Sequence, residues 1–106
     1  MINPNAPFIT ATVTKDEAIL LTWQDDSTNV KLYVVERAEK NGIFQPQIFF
    51  DRDGQSGMET FIWRDSNISN IVYYYRIIKV NTDNRIELPS NSFCIRSEER
   101  RLGKEC

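Results

Sequence analysis

An all-β domain of short antiparallel strands is predicted by three observations. Segments of alternating or continuous apolar character recur at short intervals, each closed by polar turn residues, and none keeps a 3.6-residue period. The run from Ile71 to Asn81 carries β-branched and aromatic residues on both parities, as in a central strand whose two faces are both partly covered. The chain of 106 residues is 41% apolar and 26% charged, the composition of one globular domain with a single modest core.

Taken in order, residues 1–6 form an N-terminal arm and the domain runs over 7–96. The first strand is Phe8 to Val13, with Ile9, Ala11 and Val13 on one face; Lys15-Asp16-Glu17 turns the chain. The second strand, Ala18 to Gln24, sets Ile19, Leu21 and Trp23 on one side and Leu20 and Thr22 on the other. A polar loop from Asp25 to Asn29 leads into Val30 to Arg37, with Tyr33 and Val35 inward. Asn41-Gly42 then signals a hairpin, because both residues accept positive φ, and Ile43 to Phe50 pairs back as a fourth strand, where Pro46 implies an edge position or a bulge.

Asp51 to Gly57 is a flexible polar loop. Glu59 to Arg64 is a fifth strand carrying Phe61 and Trp63, and Asp65 to Asn70 turns the chain into the central strand. Thr82 to Arg85 is the next tight turn, and Ile86 to Ile95, interrupted by Pro89, is the last strand. Residues 97–106 form a charged tail with no apolar face. Cys94 is expected to be a small packing residue, since a bridge to Cys106 would tie a sheet to a loose end.

About seven strands, with a tryptophan in the second, a tyrosine in the third and a tyrosine cluster opening the sixth, suit a β-sandwich with Greek-key connections. Leu21-Thr22-Trp23, Tyr33 to Arg37, Asp65 to Ile68, Tyr73 to Asn81 and Ser90-Asn91-Ser92 together resemble an immunoglobulin-like fold of the fibronectin type III family over most of the chain. The resemblance implies a tyrosine corner at Tyr73, its hydroxyl bonding backbone near Ile68, with Ile68 plugging the bottom of the core. It also implies a structural core of Trp23, Tyr33, Val35, Ile68, Tyr73, Tyr75 and Ile77. Two departures concern local turn geometry: the Ile68 to Tyr73 loop lacks the family's usual proline and glycine, and Lys79 stands where a small residue is commoner.

Chemistry is sparse. Histidine is absent, which excludes Ser-His-Asp and Cys-His sites and removes the commonest metal ligand. Asp25 with Asp26, and Asp51 with Asp53, read as solvated turn formers. Asp51-Arg52-Asp53-Gly54 begins like a calcium loop but lacks the third acidic ligand and the closing glutamate, whose place is taken by Ile62. Arg52-Asp53-Gly54 has the letters of the integrin tripeptide in the wrong order, and Asn67-Ile68-Ser69 is a formal glycosylation sequon at a position expected to be buried. No cofactor is expected, and the chain is not expected to be an enzyme. A formal charge of −2 argues against nucleic acid, and no apolar run approaches the roughly 18 residues that span a bilayer.

One feature goes further. With Tyr33, Val35, Tyr73, Tyr75 and Ile77 inward, alternation sends Leu32, Val34, Tyr74, Ile78 and Val80 to the outer face of the same sheet, a contiguous apolar patch unless Glu36 and Arg76 cover it. Trp63 is a second aromatic contact candidate. The expected function is therefore a non-catalytic protein-protein interaction or structural module, its partner a protein or further copies of itself in a larger assembly. A phage virion decoration or tail protein is one concrete form. The alternative is a spacer or carbohydrate-contacting module of a secreted bacterial enzyme or adhesin, with Trp63 and Tyr74 as its aromatics. If Met1 is the native start, the missing signal peptide points to synthesis in a cytoplasm; a longer secreted chain would place the module outside the cell.

Overall fold

Alternation of apolar and polar residues, the signature of a half-buried strand, is visible throughout the computed structural model, which describes residues 8–15, 18–25, 28–40, 42–52, 57–66, 68, 71–87, 89–90 and 92–96. The arm at 1–6, the tail at 97–106 and the sequon asparagine and serine lie outside the described residues. The strands are β1 (Phe8–Val13), β2 (Ile19–Asp25), β3 (Val30–Ala38), β4 (Gln45–Asp51), β5 (Glu59–Asp65), β6 (Val72–Asn81) and β7 (Phe93–Arg96). No helix occurs among the described residues, so none is long and apolar enough to cross a membrane.

The strands form two antiparallel sheets, one of order β1-β2-β5 and one of order β4-β3-β6-β7. Their facing sides close over a core to which Ile9, Ala11, Ile19, Leu21, Trp23 and Phe61 contribute from the first sheet. Tyr33, Val35, Tyr73, Tyr75, Ile77 and Ile95 contribute from the second, and Ile68 packs against the core half-buried. Trp23 stacks on Phe61 with centroids 5.3 Å apart and meets the edge of Phe50 at 5.2 Å, an aromatic cluster that locks the two sheets in register. The Trp23 indole N–H is the one buried side-chain polar atom among the described residues with no acceptor.

Several expectations are corrected. Ile86 to Ile95 is not one strand: Ile86 makes an isolated bridge to Val80, and β7 begins only at Phe93. Between them the buried Ser90 pins the crossing segment to β6. Its hydroxyl accepts from the Ile77 N–H at 2.7 Å, and its own N–H donates to the Ile77 carbonyl at 2.9 Å. The fourth strand starts at Gln45 rather than Ile43, and Pro46 lies on an edge strand beside a register shift between Val35 and Glu36. In the preceding loop Gly42 adopts φ 79° and donates its N–H to the Glu39 carbonyl at 2.9 Å. Cys94 is not a free packing residue but is disulfide-bonded, to a partner outside the described residues.

Three acids or bases assigned to solvated loops are buried instead. Asp25 closes β2 inside the sandwich, Asp65 does the same for β5, and Arg52, the residue after β4, is buried with its guanidinium over the Phe61 ring. There it donates to the Gly57 carbonyl and pairs with Glu59 at 3.4 Å. In each case a partner brought from a distant strand makes burial of the charge tolerable.

Candidate interaction face

The pairing of β3 with β4 and β6 stacks outward-facing side chains into rows across the second sheet. One row runs Asp51, Leu32, Val80, Ile86; the next runs Phe49, Val34, Ile78. Leu32, Val34 and Val80 are half-buried, while Phe49 and Ile86 at the flanks are 62% and 73% exposed. The result is an apolar strip with a shallow middle and two projecting ends.

Four of the five residues expected on this face, Leu32, Val34, Ile78 and Val80, are brought together. Ile78 is only 7% exposed, so it forms the floor of the strip and not a contact point. Tyr74 is separated from the others. It sits between Ala38 and Cys94, beyond a polar row in which Glu36 accepts from Arg76 Nε at 2.8 Å and the Arg76 guanidinium lies 4.0 Å above the Phe44 ring. Glu36 and Arg76 thus border the strip and leave its centre uncovered. Phe49 and Ile86 escaped the sequence argument because outward parity was followed only along the two central strands. For Phe49 the signal was available, since pairing β4 back on β3 places it beside Val34.

Trp63, the other aromatic candidate, pairs with Leu21 on the inward parity of β5 and packs half-buried against the core. Trp63 and Tyr74 therefore lie on different sheets and form no row. The opposite outer face, on β1, β2 and β5, has another character. Thr10 and Thr22 share a hydrogen bond at 2.9 Å, Gln24 donates to Thr60 at 3.1 Å, and Phe8 and Met58 flank a shallow trough of about 400 Å³.

Inside, each end of the sandwich is closed by a carboxylate, a tyrosine and a cation. At one end Tyr33 donates to Asp25 at 2.5 Å, and Lys79, cross-strand from Tyr33, approaches the same carboxylate oxygen at 3.4 Å and Glu87 at 4.0 Å. At the other, Tyr75 donates to Asp65 at 2.7 Å and Arg37, cross-strand from Tyr75, donates to the same oxygen at 2.8 Å while lying 4.7 Å over the Tyr73 ring. Burial pushes both tyrosine hydroxyls far above their ordinary range, and the carboxylate each one bonds adds to the shift. Burial opposes the charge of Arg37, but the hydrogen bond and proximity to Asp65 outweigh it and raise its pKa. Tyr73 is buried as a tyrosine corner would require, although its turn runs through residues outside those described.

In each cluster the tyrosine hydroxyl and the cation converge on one oxygen of the buried carboxylate. Among the described residues no three histidines, cysteines or acids gather as a metal site. Set against known proteins, the chain matches no protein-family model and no characterised protein by sequence.

Proposed function

We propose that this chain is a non-catalytic interaction module of the fibronectin type III kind, mounted in a larger assembly through the outer face of its four-stranded sheet. The observation that carries the proposal is the apolar strip from Phe49 and Val34 to Val80 and Ile86, projecting at both ends and left uncovered by its polar border. A strip of this kind loses free energy in water that docking recovers. The family reading is supported by the strand order, in which β5 leaves its sequence neighbours β4 and β6 to join β1 and β2, as a Greek-key sandwich requires. The lack of histidine and the pairing of each buried carboxylate with a tyrosine and a cation favour a binding role over a catalytic one.

A photo-crosslinking amino acid placed at Val34, and separately at Thr22 on the other outer face, tests this in the cells that make the protein. The expected result is a discrete crosslinked species from Val34 that is lost when Ile86→Asp is added, and none from Thr22. Equal labelling from both faces, or none from Val34, refutes the assignment.

A further inference from the structure

We propose that the free edge of β4 pairs with a second copy of this chain, antiparallel about a two-fold axis at Phe49. This concerns the edge of the sheet and not its broad face, although Phe49 belongs to both.

Two sheets have four edge strands, and three are disposed of by the fold. β1 and β7 end their own sheets but pack beside one another, and β5 carries the charges Glu59 and Arg64 at exposed positions, which discourage a second strand from adding. On β4, Pro46 and the neighbouring bulge guard only the beginning of the strand. From Gln47 to Asp51 no other strand among the described residues pairs with its edge.

The direction of its main-chain groups follows from one bond. Arg52 donates its N–H to the Lys31 carbonyl at 2.9 Å, so in an antiparallel ladder the pairs Tyr33 with Phe50 and Val35 with Ile48 are also hydrogen-bonded toward β3. Phe49 and Asp51 therefore turn their N–H and C=O groups outward. A two-fold axis at Phe49 matches this sequence to itself. Phe49 meets Phe49 of the second copy, Ile48 meets Phe50, and on each side the Gln47 amide, one N–H of which donates to the Gln45 carbonyl at 3.1 Å, faces the Asp51 carboxylate with the other. Phe49, 62% exposed in the single chain, is buried by its own counterpart. Pairing joins the two sheets and runs the two apolar strips into one.

Sedimentation equilibrium up to about millimolar concentration, the range where a small interface assembles, tests this. The expected result is a reversible monomer-dimer equilibrium. Phe49→Lys, which sets two like charges on the axis at a solvent-exposed position, raises the dissociation constant at least about tenfold without changing the circular dichroism of the fold. Gln47→Lys tightens the dimer and Gln47→Glu loosens it, each by roughly fivefold from its two symmetric contacts with Asp51. Ile86→Asp, at the far end of the broad face from Phe49, leaves the equilibrium unchanged. A monomer at every concentration, a dimer indifferent to Phe49→Lys, the two Gln47 variants moving together, or loss of the dimer in Ile86→Asp would each overturn the proposal.

Discussion

The two ends of the sandwich solve one problem with different cations. Asp25 with Tyr33 and Lys79, and Asp65 with Tyr75 and Arg37, have the same plan: a buried carboxylate, a tyrosine hydroxyl on it and a cross-strand cation. Arg37 keeps 15% of its side chain exposed, makes a 2.8 Å charge-assisted bond and rests on Tyr73. Lys79 is 1% exposed and stands 3.4 Å from its carboxylate, farther than Arg37 stands from Asp65. A planar, weakly hydrated cation closes a sandwich end more economically than a point charge. The tyrosine hydroxyl must therefore do more at the lysine end.

Variants can break this pairing, beginning with the most damaging. Asp65→Ala leaves Arg37 and the Tyr75 hydroxyl without their shared acceptor and is expected to cost about 3–5 kcal/mol in urea unfolding. Tyr33→Phe and Tyr75→Phe each delete a bond to a buried carboxylate, worth about 1.5–3 kcal/mol, and Tyr33→Phe is expected to be the worse because Asp25 keeps the more distant cation. Equal losses would dissolve the contrast between the ends.

Alkali probes both hydroxyls together. Their folded-state pKa values lie above the unfolded value, so the stability they contribute is complete below about pH 10 and is lost as pH rises beyond it. Between pH 10 and 11 the loss is about 1 kcal/mol for each, and ultraviolet titration is expected to show Tyr33 and Tyr75 ionising only as the chain unfolds. The smallest effect comes from a pair that is only half-buried. Glu36 and Arg76 form a well-made pair at 2.8 Å on the surface, yet Arg76→Ala is expected to cost under about 1 kcal/mol, because water competes for both charges.

The central strand was the most legible part of the chain. Its inward Tyr73, Tyr75 and Ile77, with Trp23, Tyr33 and Val35 opposite, are core residues because a period of two leaves one choice of buried face once a single member is placed. Lys79 was not legible as buried, since it continues the same inward parity but carries a charge that local pattern assigns to water. Its place depends on Asp25, 54 positions away in the chain by their numbers, and on Glu87 across the turn. Arg52 failed for the same reason, in a segment that reads as polar loop. The candidate face was half legible: parity found Leu32, Val34, Ile78 and Val80, but not the row structure that sets Tyr74 apart and adds Phe49 and Ile86.

By itself the sequence determined the all-β class, most of the strands and the inward parity of the central ones, because these follow from side-chain alternation within a few residues. Which strands became neighbours, which charges were buried and which edge stayed open were decided only in three dimensions. Those outcomes depend on partners supplied from elsewhere in the chain. A carboxylate at the end of β2 is a turn former until Tyr33 and Lys79 arrive above it, and β4 is an edge only because β5 crosses to the other sheet.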